Sequence, residues 1–224
     1  MTVAAAAPLV RIRAGGAVLE GMLELPDPCS GIVVFSHGSG SGRHSPRNQY
    51  VAAELREAGL GTLLLDLLTP AEDRDYERRF DIALLTERLG HAVRFVGRSA
   101  TTKGLPIGLF GASTGAASAL RLAAGTPEAV RAVVSRGGRP DLAGKGVLGL
   151  VKAPTLLIVG AEDFGVIELN RTALAELQGC PAEMVLVPGA THLFEERGTL
   201  EKAAGLARDW FLRYLRVNRP SEHR

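Results

Sequence analysis

The sequence has few of the features that mark secreted, metal-binding or membrane proteins. It contains two cysteines, Cys29 and Cys180, too few for the disulfide framework of a small secreted fold and without the spacing of a zinc site. Residues 1–10 lack the basic region and the long apolar segment of a signal peptide, and no apolar run is long enough to span a bilayer. We therefore expect a cytoplasmic protein with no membrane span.

An excess of charge of one sign is also missing. The formal net charge is +2 and the basic residues are dispersed, without the runs of Lys or Arg and aromatics that accompany nucleic-acid binding, so we predict no nucleic-acid partner. The arginines of the last segment are interpreted as a solvated chain end: Arg213, Arg216, Arg219 and Arg224.

The sequence does contain enough hydrophobic residues to form a packed core. Hydrophobic residues make up 46% of the 224 residues, which excludes intrinsic disorder. Single α/β domains commonly have about 200–250 residues. We therefore expect one domain over residues 1–224.

Short apolar runs alternate with helical patterns along the chain. Gly15-Gly16 separates two extended runs, 10–14 and 18–25, and predicts an N-terminal β-hairpin. Apolar, β-branched runs predict further strands at 31–36, 61–65, 107–110, 129–135, 155–159 and 184–187. Helical spacing predicts helices at 48–58, 81–96, 114–124, 166–177 and 200–215. Because right-handed crossovers place helices against a parallel sheet, this alternation predicts an α/β fold, with a mostly parallel twisted sheet of about eight strands covered on both faces.

The predicted strand at 107–110 runs into Gly111-Ala112-Ser113-Thr114-Gly115, which matches G-x-S-x-G. A serine at a sharp turn from strand to helix has a strained backbone, and the neighbouring glycines remove the side chains that would clash there. The turn exposes the hydroxyl at the carboxyl edge of the sheet, where parallel α/β sheets bind ligands. We predict that Ser113 is a nucleophile.

A serine nucleophile needs a base within hydrogen-bond distance and a third group that orients the base. His192 follows the predicted strand at 184–187, and Asp163 follows the one at 155–159. Both therefore lie at the same edge of the sheet as Ser113. The order nucleophile, acid, base along the chain is that of α/β-hydrolases.

Other titratable residues are interpreted differently. Asp66, directly after a predicted strand, remains the alternative for the acid. His37, before Gly38 in a glycine-rich loop, is interpreted as fixing the geometry of that loop. Glu195 and Glu196 are interpreted as a solvated charged turn.

Basic residues near the predicted site are candidates for substrate binding. Arg136 follows a predicted strand, and Arg43, His44 and Arg47 lie in the loop after another. Guanidinium groups bind carboxylates well, so a substrate carboxylate is one expected partner. A role as salt-bridged scaffold is the alternative for these arginines.

The chain resembles the α/β-hydrolases of the dienelactone-hydrolase-like group. The residues that carry the resemblance are Ser36-His37-Gly38-Ser39-Gly40, the segment Gly111 to Gly115, Leu157-Ile158-Val159-Gly160 with Asp163, and Pro188-Gly189-Ala190-Thr191-His192. The resemblance implies a catalytic triad of Ser113, Asp163 and His192, with an oxyanion hole formed by the backbone amides of Ser39 and Thr114. Dienelactone hydrolases proper use a cysteine nucleophile, so Ser113 favours a carboxylesterase.

Many enzymes of this architecture insert a helical cap after the sixth strand. The corresponding segment here, 136–152, is short, so we expect no large cap domain and either an ordinary surface loop or a small lid.

The sequence therefore predicts a serine hydrolase that cleaves small-molecule carboxylic esters, or lactones, through an acyl-enzyme and without a cofactor or metal. Two alternatives stay open for the same residues. The triad could serve an acyltransferase or a peptidase, or the scaffold could be a non-catalytic binding module. The sequence does not predict the oligomeric state.

Overall fold

The computed structural model describes residues 8–215. This part of the chain contains one sheet of eight strands. The strands are β1 (Leu9–Ala14), β2 (Ala17–Glu24), β3 (Ile32–Ser36), β4 (Gly61–Leu65), β5 (Ile107–Ala112), β6 (Ala132–Arg136), β7 (Thr155–Gly160) and β8 (Ala182–Val187). Their order is β1-β2-β4-β3-β5-β6-β7-β8. Strand β2 is antiparallel to both of its neighbours, and all other pairs are parallel. The predicted mostly parallel sheet is confirmed.

Five helices cover the sheet on both faces, as predicted. They are α1 (Pro46–Glu57), α2 (Ile82–Arg98), α3 (Thr114–Gly125), α4 (Phe164–Glu176) and α5 (Thr199–Leu215). One apolar cluster joins the sheet to α2, α3 and α4, and a second joins it to α1 and α5. These helices and strands begin and end within three residues of their predicted bounds.

The central strands are buried along their whole length because both faces of the sheet are covered. In β3, Val34 packs into the cluster under α2 and α3, whereas the next residue, Phe35, packs into the cluster under α1 and α5. This alternation follows from the two-residue period of a strand. Since β3 to β8 are parallel, the loops that follow them emerge at one edge of the sheet, where the predicted site residues lie.

The segment between β6 and β7 has no α-helix and no large cap. It contains two single 3₁₀ turns, 140–143 and 148–150, whose residues Ala143 and Leu148 pack into the core under α3 and α4. No helix within residues 8–215 is long and apolar enough to cross a membrane. The start of the chain and Arg216, Arg219 and Arg224 lie outside the described residues. That the chain forms one domain and works in the cytoplasm stays a prediction.

Candidate active site

Ser113 lies at a strained turn between β5 and α3. Its φ is 51° and its ψ is −121°, a region that residues other than glycine rarely adopt. Backbone hydrogen bonds hold this conformation: the Ser113 amide donates to the carbonyl of Arg136 (3.3 Å), and its carbonyl accepts from the amides of Ala116 (3.1 Å) and Arg139 (3.0 Å). The backbone around Ser113 is therefore fixed by its contacts with β6 and α3.

The two glycines that flank the turn occupy positions without room for a side chain. A Cβ atom at Gly111 would overlap the Cα of Ala116, and one at Gly115 would overlap the carbonyl oxygen of Ser36 at the end of β3. The glycines therefore let α3 start directly against the strands, as the G-x-S-x-G pattern requires.

His192 and Asp163 form a short hydrogen bond between the loops after β8 and β7. The distance from His192 Nδ1 to Asp163 Oδ2 is 2.6 Å. Asp163 occupies the N-cap position of α4, yet its side chain makes no capping hydrogen bond and turns to His192 instead. Because an ionised carboxylate only accepts, Nδ1 carries the proton and Nε2 is left as the acceptor.

The two loops approach closely because Gly160 has no side chain. A Cβ atom at Gly160 would overlap the carbonyl oxygen of Ala190. Glu196 orders the His192 loop from its other end, where it accepts from the Thr191 amide (3.1 Å) and the Thr191 hydroxyl (2.5 Å). The hydrogen bond from that hydroxyl, with those from nearby amides, lowers the pKa of Glu196.

The interpretation of Glu195 and Glu196 as a solvated charged turn agrees with the exposure of Glu195, and the structure adds specific contacts for both residues. Glu196 holds Thr191, and Glu195 pairs with Arg47 of α1 (2.8 Å). The sequence offered little to find these contacts, because the Glu195 pair joins residues far apart in the chain and a threonine near a glutamate is common in turns.

Ser113 and His192 line the same cavity, of about 210 Å³, at the carboxyl edge of the sheet. Arg136 lines it as well, and the opposite wall comes from the loop after β3 and the start of α1, including Ser39 and Arg47. The structure thus brings the predicted nucleophile, the base and two of the candidate arginines, Arg136 and Arg47, to one cavity. Larger cavities elsewhere, such as one of about 490 Å³ beside Tyr214, are not lined by Ser113 or His192.

The two predicted oxyanion-hole amides differ in their hydrogen bonds. The Thr114 amide, in the first turn of α3, has no hydrogen-bond partner among residues 8–215. The Ser39 amide donates to the buried hydroxyl of Thr114 (3.0 Å). The Thr114 amide is thus free to donate to an oxyanion. The Ser39 amide can do so only if its hydrogen bond to the Thr114 hydroxyl is broken or shared.

Arg43 does not reach the cavity, because two carboxylates hold it elsewhere. It pairs with Asp66, after β4, and with Glu20 of β2 (2.8 Å), and its amide also donates to Asp66 (2.7 Å). For Arg43 the salt-bridged alternative is the one found. Asp66, the alternative acid, is occupied by Arg43 and is not a partner of His192. His44 is exposed and does not line the cavity.

His37 links the loop after β3 to the loop after β4. Its Nδ1 donates to the Gly38 carbonyl (2.9 Å), and its Nε2 accepts from the Leu67 amide (3.0 Å). Burial lowers the pKa of His37, so the ring stays neutral and keeps both bonds. The interpretation that His37 fixes the loop geometry agrees with these contacts.

Arg136 is a buried cation without a counter-charge. Its side chain lies over the ring of Phe194, 5.5 Å from the ring centroid, and its Nη1 is 3.5 Å from the Leu193 carbonyl. Within residues 8–215 its Nε has no partner and no carboxylate lies within ion-pair distance. Burial and the charge of Arg47 lower the pKa of Arg136 to about 10, so it remains charged at neutral pH.

Comparison with known proteins supports the architecture. No family model matches the chain. A dienelactone hydrolase structure from Anabaena variabilis is 52% identical with a TM-score of 0.90, over 93% of this chain and 98% of that one. The structure of Est1E from Butyrivibrio proteoclasticus has a TM-score of 0.77 at 17% identity, over 92% and 98% of the two chains, which shows likeness of fold alone.

Two curated proteins from strains of Mycobacterium tuberculosis are 55% identical over 206 residues and bear the name "Putative phosphoribosyl transferase". The alignment covers 92% of this chain but 46% of each relative, so the chain spans about half of their length. The Anabaena protein, in contrast, is similar to this chain over nearly its full length, in sequence as well as in fold, and this similarity identifies the family. The chain belongs to the α/β-hydrolase superfamily, in its dienelactone-hydrolase-like group.

Proposed function

We propose that the protein is a serine hydrolase of carboxylic esters, including lactones, with Ser113 as nucleophile, His192 as base and Asp163 as the residue that orients His192. The observation that carries the proposal is the 2.6 Å bond between His192 and Asp163, formed beside the cavity that Ser113 also lines. The strained backbone of Ser113 supports the same role.

The proposed reaction starts when Ser113 Oγ attacks the ester carbonyl while His192 Nε2 takes the hydroxyl proton. The C–O bond to Ser113 forms, and the carbonyl π electrons move onto oxygen. When the tetrahedral intermediate collapses, the alkoxide leaves with the proton from His192. Water then attacks the acyl-enzyme, gives its proton to His192, and releases the acid as Ser113 recovers its proton. These steps need only the three side chains and water.

The oxyanion formed in both halves of the reaction needs preorganised donors. The free amide of Thr114, at the positive end of the α3 dipole, supports its role as one donor. We propose the Ser39 amide as the second donor. It lies next to Thr114 and would turn from the Thr114 hydroxyl to the substrate oxygen when substrate binds.

The substrate range is proposed from the nucleophile and the cavity. The Anabaena relative is named a dienelactone hydrolase, and the structure of Est1E is known with ferulic acid bound. We extend to this chain the hydrolysis of an ester bond that the name of the Anabaena relative denotes. Phosphoribosyl transfer is not extended, because the relatives with that name are more than twice as long as the matched segment.

The test is active-site labelling followed by a substrate panel. A fluorophosphonate should modify the folded protein, and peptide mass spectrometry should find the adduct on Ser113 and none on the Ser113→Ala variant. The p-nitrophenyl esters of several acyl lengths, with lactones and amides, would then separate esterase from peptidase activity, and added alcohol would reveal acyl transfer. A folded protein without an adduct would contradict the proposal and favour a non-catalytic binding module.

A further inference from the structure

Asn170 is a fully buried polar residue in the middle of α4. Its Nδ2 donates to the carbonyl of Val166 in the same helix (2.8 Å) and to the carbonyl of Gly138 in the loop after β6 (3.0 Å). Its Oδ1 is buried and accepts no hydrogen bond within residues 8–215. Asparagine is a weaker helix former than leucine, and a buried acceptor without a partner costs about 1–3 kcal/mol. The stability of α4 therefore does not explain an asparagine at this position, whereas its bond to Gly138 does.

The bond to Gly138 reaches the segment that fixes the nucleophile. The Ser113 amide donates to the Arg136 carbonyl, and the Ser113 carbonyl accepts from the Arg139 amide. This segment thus binds the Ser113 turn on both sides of Gly138. A Cβ atom at Gly138 would overlap the side chain of Ala116 in α3, so the segment lies close against that helix. Asn170 holds the middle of the segment.

The helix that carries Asn170 also carries the residue that orients the proposed base. Asp163 is the N-cap of α4 and accepts the hydrogen bond of His192. Asn170 follows Asp163 by about two helical turns, so the two residues lie on the same side of α4. One helix therefore contacts both the loop that fixes the nucleophile and the base.

Few apolar side chains anchor α4. Among residues 164–176, which form this helix, three are buried: Ile167, Asn170 and Ala173. A helix with so little buried apolar surface depends on polar contacts for its exact position. The bond from Asn170 to Gly138 therefore helps to fix the register of α4 against the loop after β6.

We propose that Asn170 is a positioning residue of the triad. Its bond to Gly138 sets the place of α4 relative to the turn of Ser113. This place in turn sets the position from which Asp163 directs His192 Nε2 towards Ser113 Oγ. Asn170 is not among the residues that line the cavity, so its effect reaches the substrate through the triad alone. The inference rests on the proposed ester hydrolysis and adds a residue to its machinery.

The Asn170→Leu variant tests this role by kinetics. It keeps the size of the side chain and removes both donors. The kcat for a p-nitrophenyl ester should fall about 10-fold to 100-fold, because a displacement of about 1 Å in an active site can cost about 100-fold in rate. The KM should stay within about twofold, since the cavity is unchanged. The control Ala173→Gly weakens α4 by about 1 kcal/mol but keeps the Asn170 bond, and should retain the wild-type kcat.

The Asn170→Asp variant adds a dependence on pH and does not require the leucine variant to fold. A carboxyl group can donate to the Gly138 carbonyl only while it is protonated. The kcat relative to the wild type at the same pH should therefore be highest in acid and fall as this carboxyl ionises. A variant that is equally slow at every pH would overturn the role of the donor.

A spectroscopic measurement separates failure of this inference from failure of the proposed function. The proton that His192 Nδ1 donates to Asp163 should give a far-downfield signal in ¹H NMR, whether or not esters are cleaved. The signal should shift or disappear in Asn170→Leu and persist in Ala173→Gly. An unchanged signal with wild-type kcat in folded Asn170→Leu would overturn the positioning role. If the signal changes as expected but the wild type cleaves no ester, ester hydrolysis fails and the positioning role stands.

Discussion

Two arginines near the same edge of the sheet have opposite surroundings. Arg43 lies between the carboxylates of Asp66 and Glu20, a group we name the Arg43 cluster. Arg136 lies against Phe194 with no carboxylate partner in the described part of the chain and faces the cavity of Ser113. The sequence presented both as candidates for substrate binding, and only their surroundings distinguish them.

The guanidinium groups of Arg43 and Arg136 contribute differently to the stability of the fold. In the Arg43 cluster, two ion pairs join the loop after β3 to β2 and to the loop after β4, so the charge of Arg43 stabilises the scaffold. Burial of the Arg136 charge destabilises the fold, and no carboxylate among residues 8–215 offsets that cost. A buried charge of this kind is typical of a functional site, where part of the interaction comes from the ligand.

The largest expected effect concerns two carboxylates, Asp163 beside His192 and Asp66 in the Arg43 cluster. Asp163→Asn should lower kcat for a p-nitrophenyl ester by about 10⁴-fold, because an asparagine no longer holds His192 in the tautomer that accepts the Ser113 proton. The matched change Asp66→Asn, in the Arg43 cluster, should lower kcat less than tenfold. A similar loss of kcat in both variants would mean that Asp163 is not the orienting acid.

The two arginines should differ in their contribution to stability. Arg43→Met should lower the free energy of unfolding by about 1–3 kcal/mol, because Asp66 and Glu20 lose the guanidinium that they share, and Glu20 keeps only the longer contact with Arg11 (3.8 Å). Arg136→Met removes an unpaired buried charge next to Phe194 and should leave the free energy of unfolding unchanged or higher. Urea denaturation of both variants measures the difference, and a larger loss in Arg136→Met would contradict this assignment of roles.

His37 should make the protein less stable in acid. Burial lowers the pKa of His37 in the folded state, so below the unfolded pKa of about 6.5 only the unfolded chain binds the proton. The free energy of unfolding should therefore fall by up to about 1.4 kcal/mol for each pH unit below this value, until the folded pKa is reached. His37→Gln should reduce the slope, whatever its effect at neutral pH. An unchanged slope in thermal or urea unfolding would show that folding does not lower the pKa of His37.

The smallest effect concerns the link between Ser39 and Thr114. Thr114→Val removes the hydroxyl that accepts from the Ser39 amide, and should lower kcat about 3-fold to 10-fold because the loop after β3 is held less firmly. Thr114→Ser keeps the hydroxyl and should retain most of the rate. A valine variant faster than the wild type would contradict this prediction, and would show that release of the Ser39 amide to the oxyanion limits the rate more than the firmness of the loop does.

Much of the fold and the core of the candidate site could be predicted from local sequence patterns. The periods of apolar residues mark the strands and helices, and the loop positions of Ser113, Asp163 and His192 follow once the strands are parallel. The roles of Arg43, Arg136, Glu195 and Glu196 could not be predicted in this way, since each depends on a partner, or on the lack of one, that is set by packing.

Local sequence patterns were sufficient to predict the α/β architecture, the strained serine turn and the edge of the sheet at which the site lies. The reason is that periodicity, glycine placement and chain order act locally or through the general rules of parallel sheets. That Arg43 is neutralised by carboxylates and Arg136 faces the cavity of Ser113 follows from the tertiary structure. Charge compensation depends on distances between residues far apart in the chain, such as the 2.8 Å between Arg43 and Glu20.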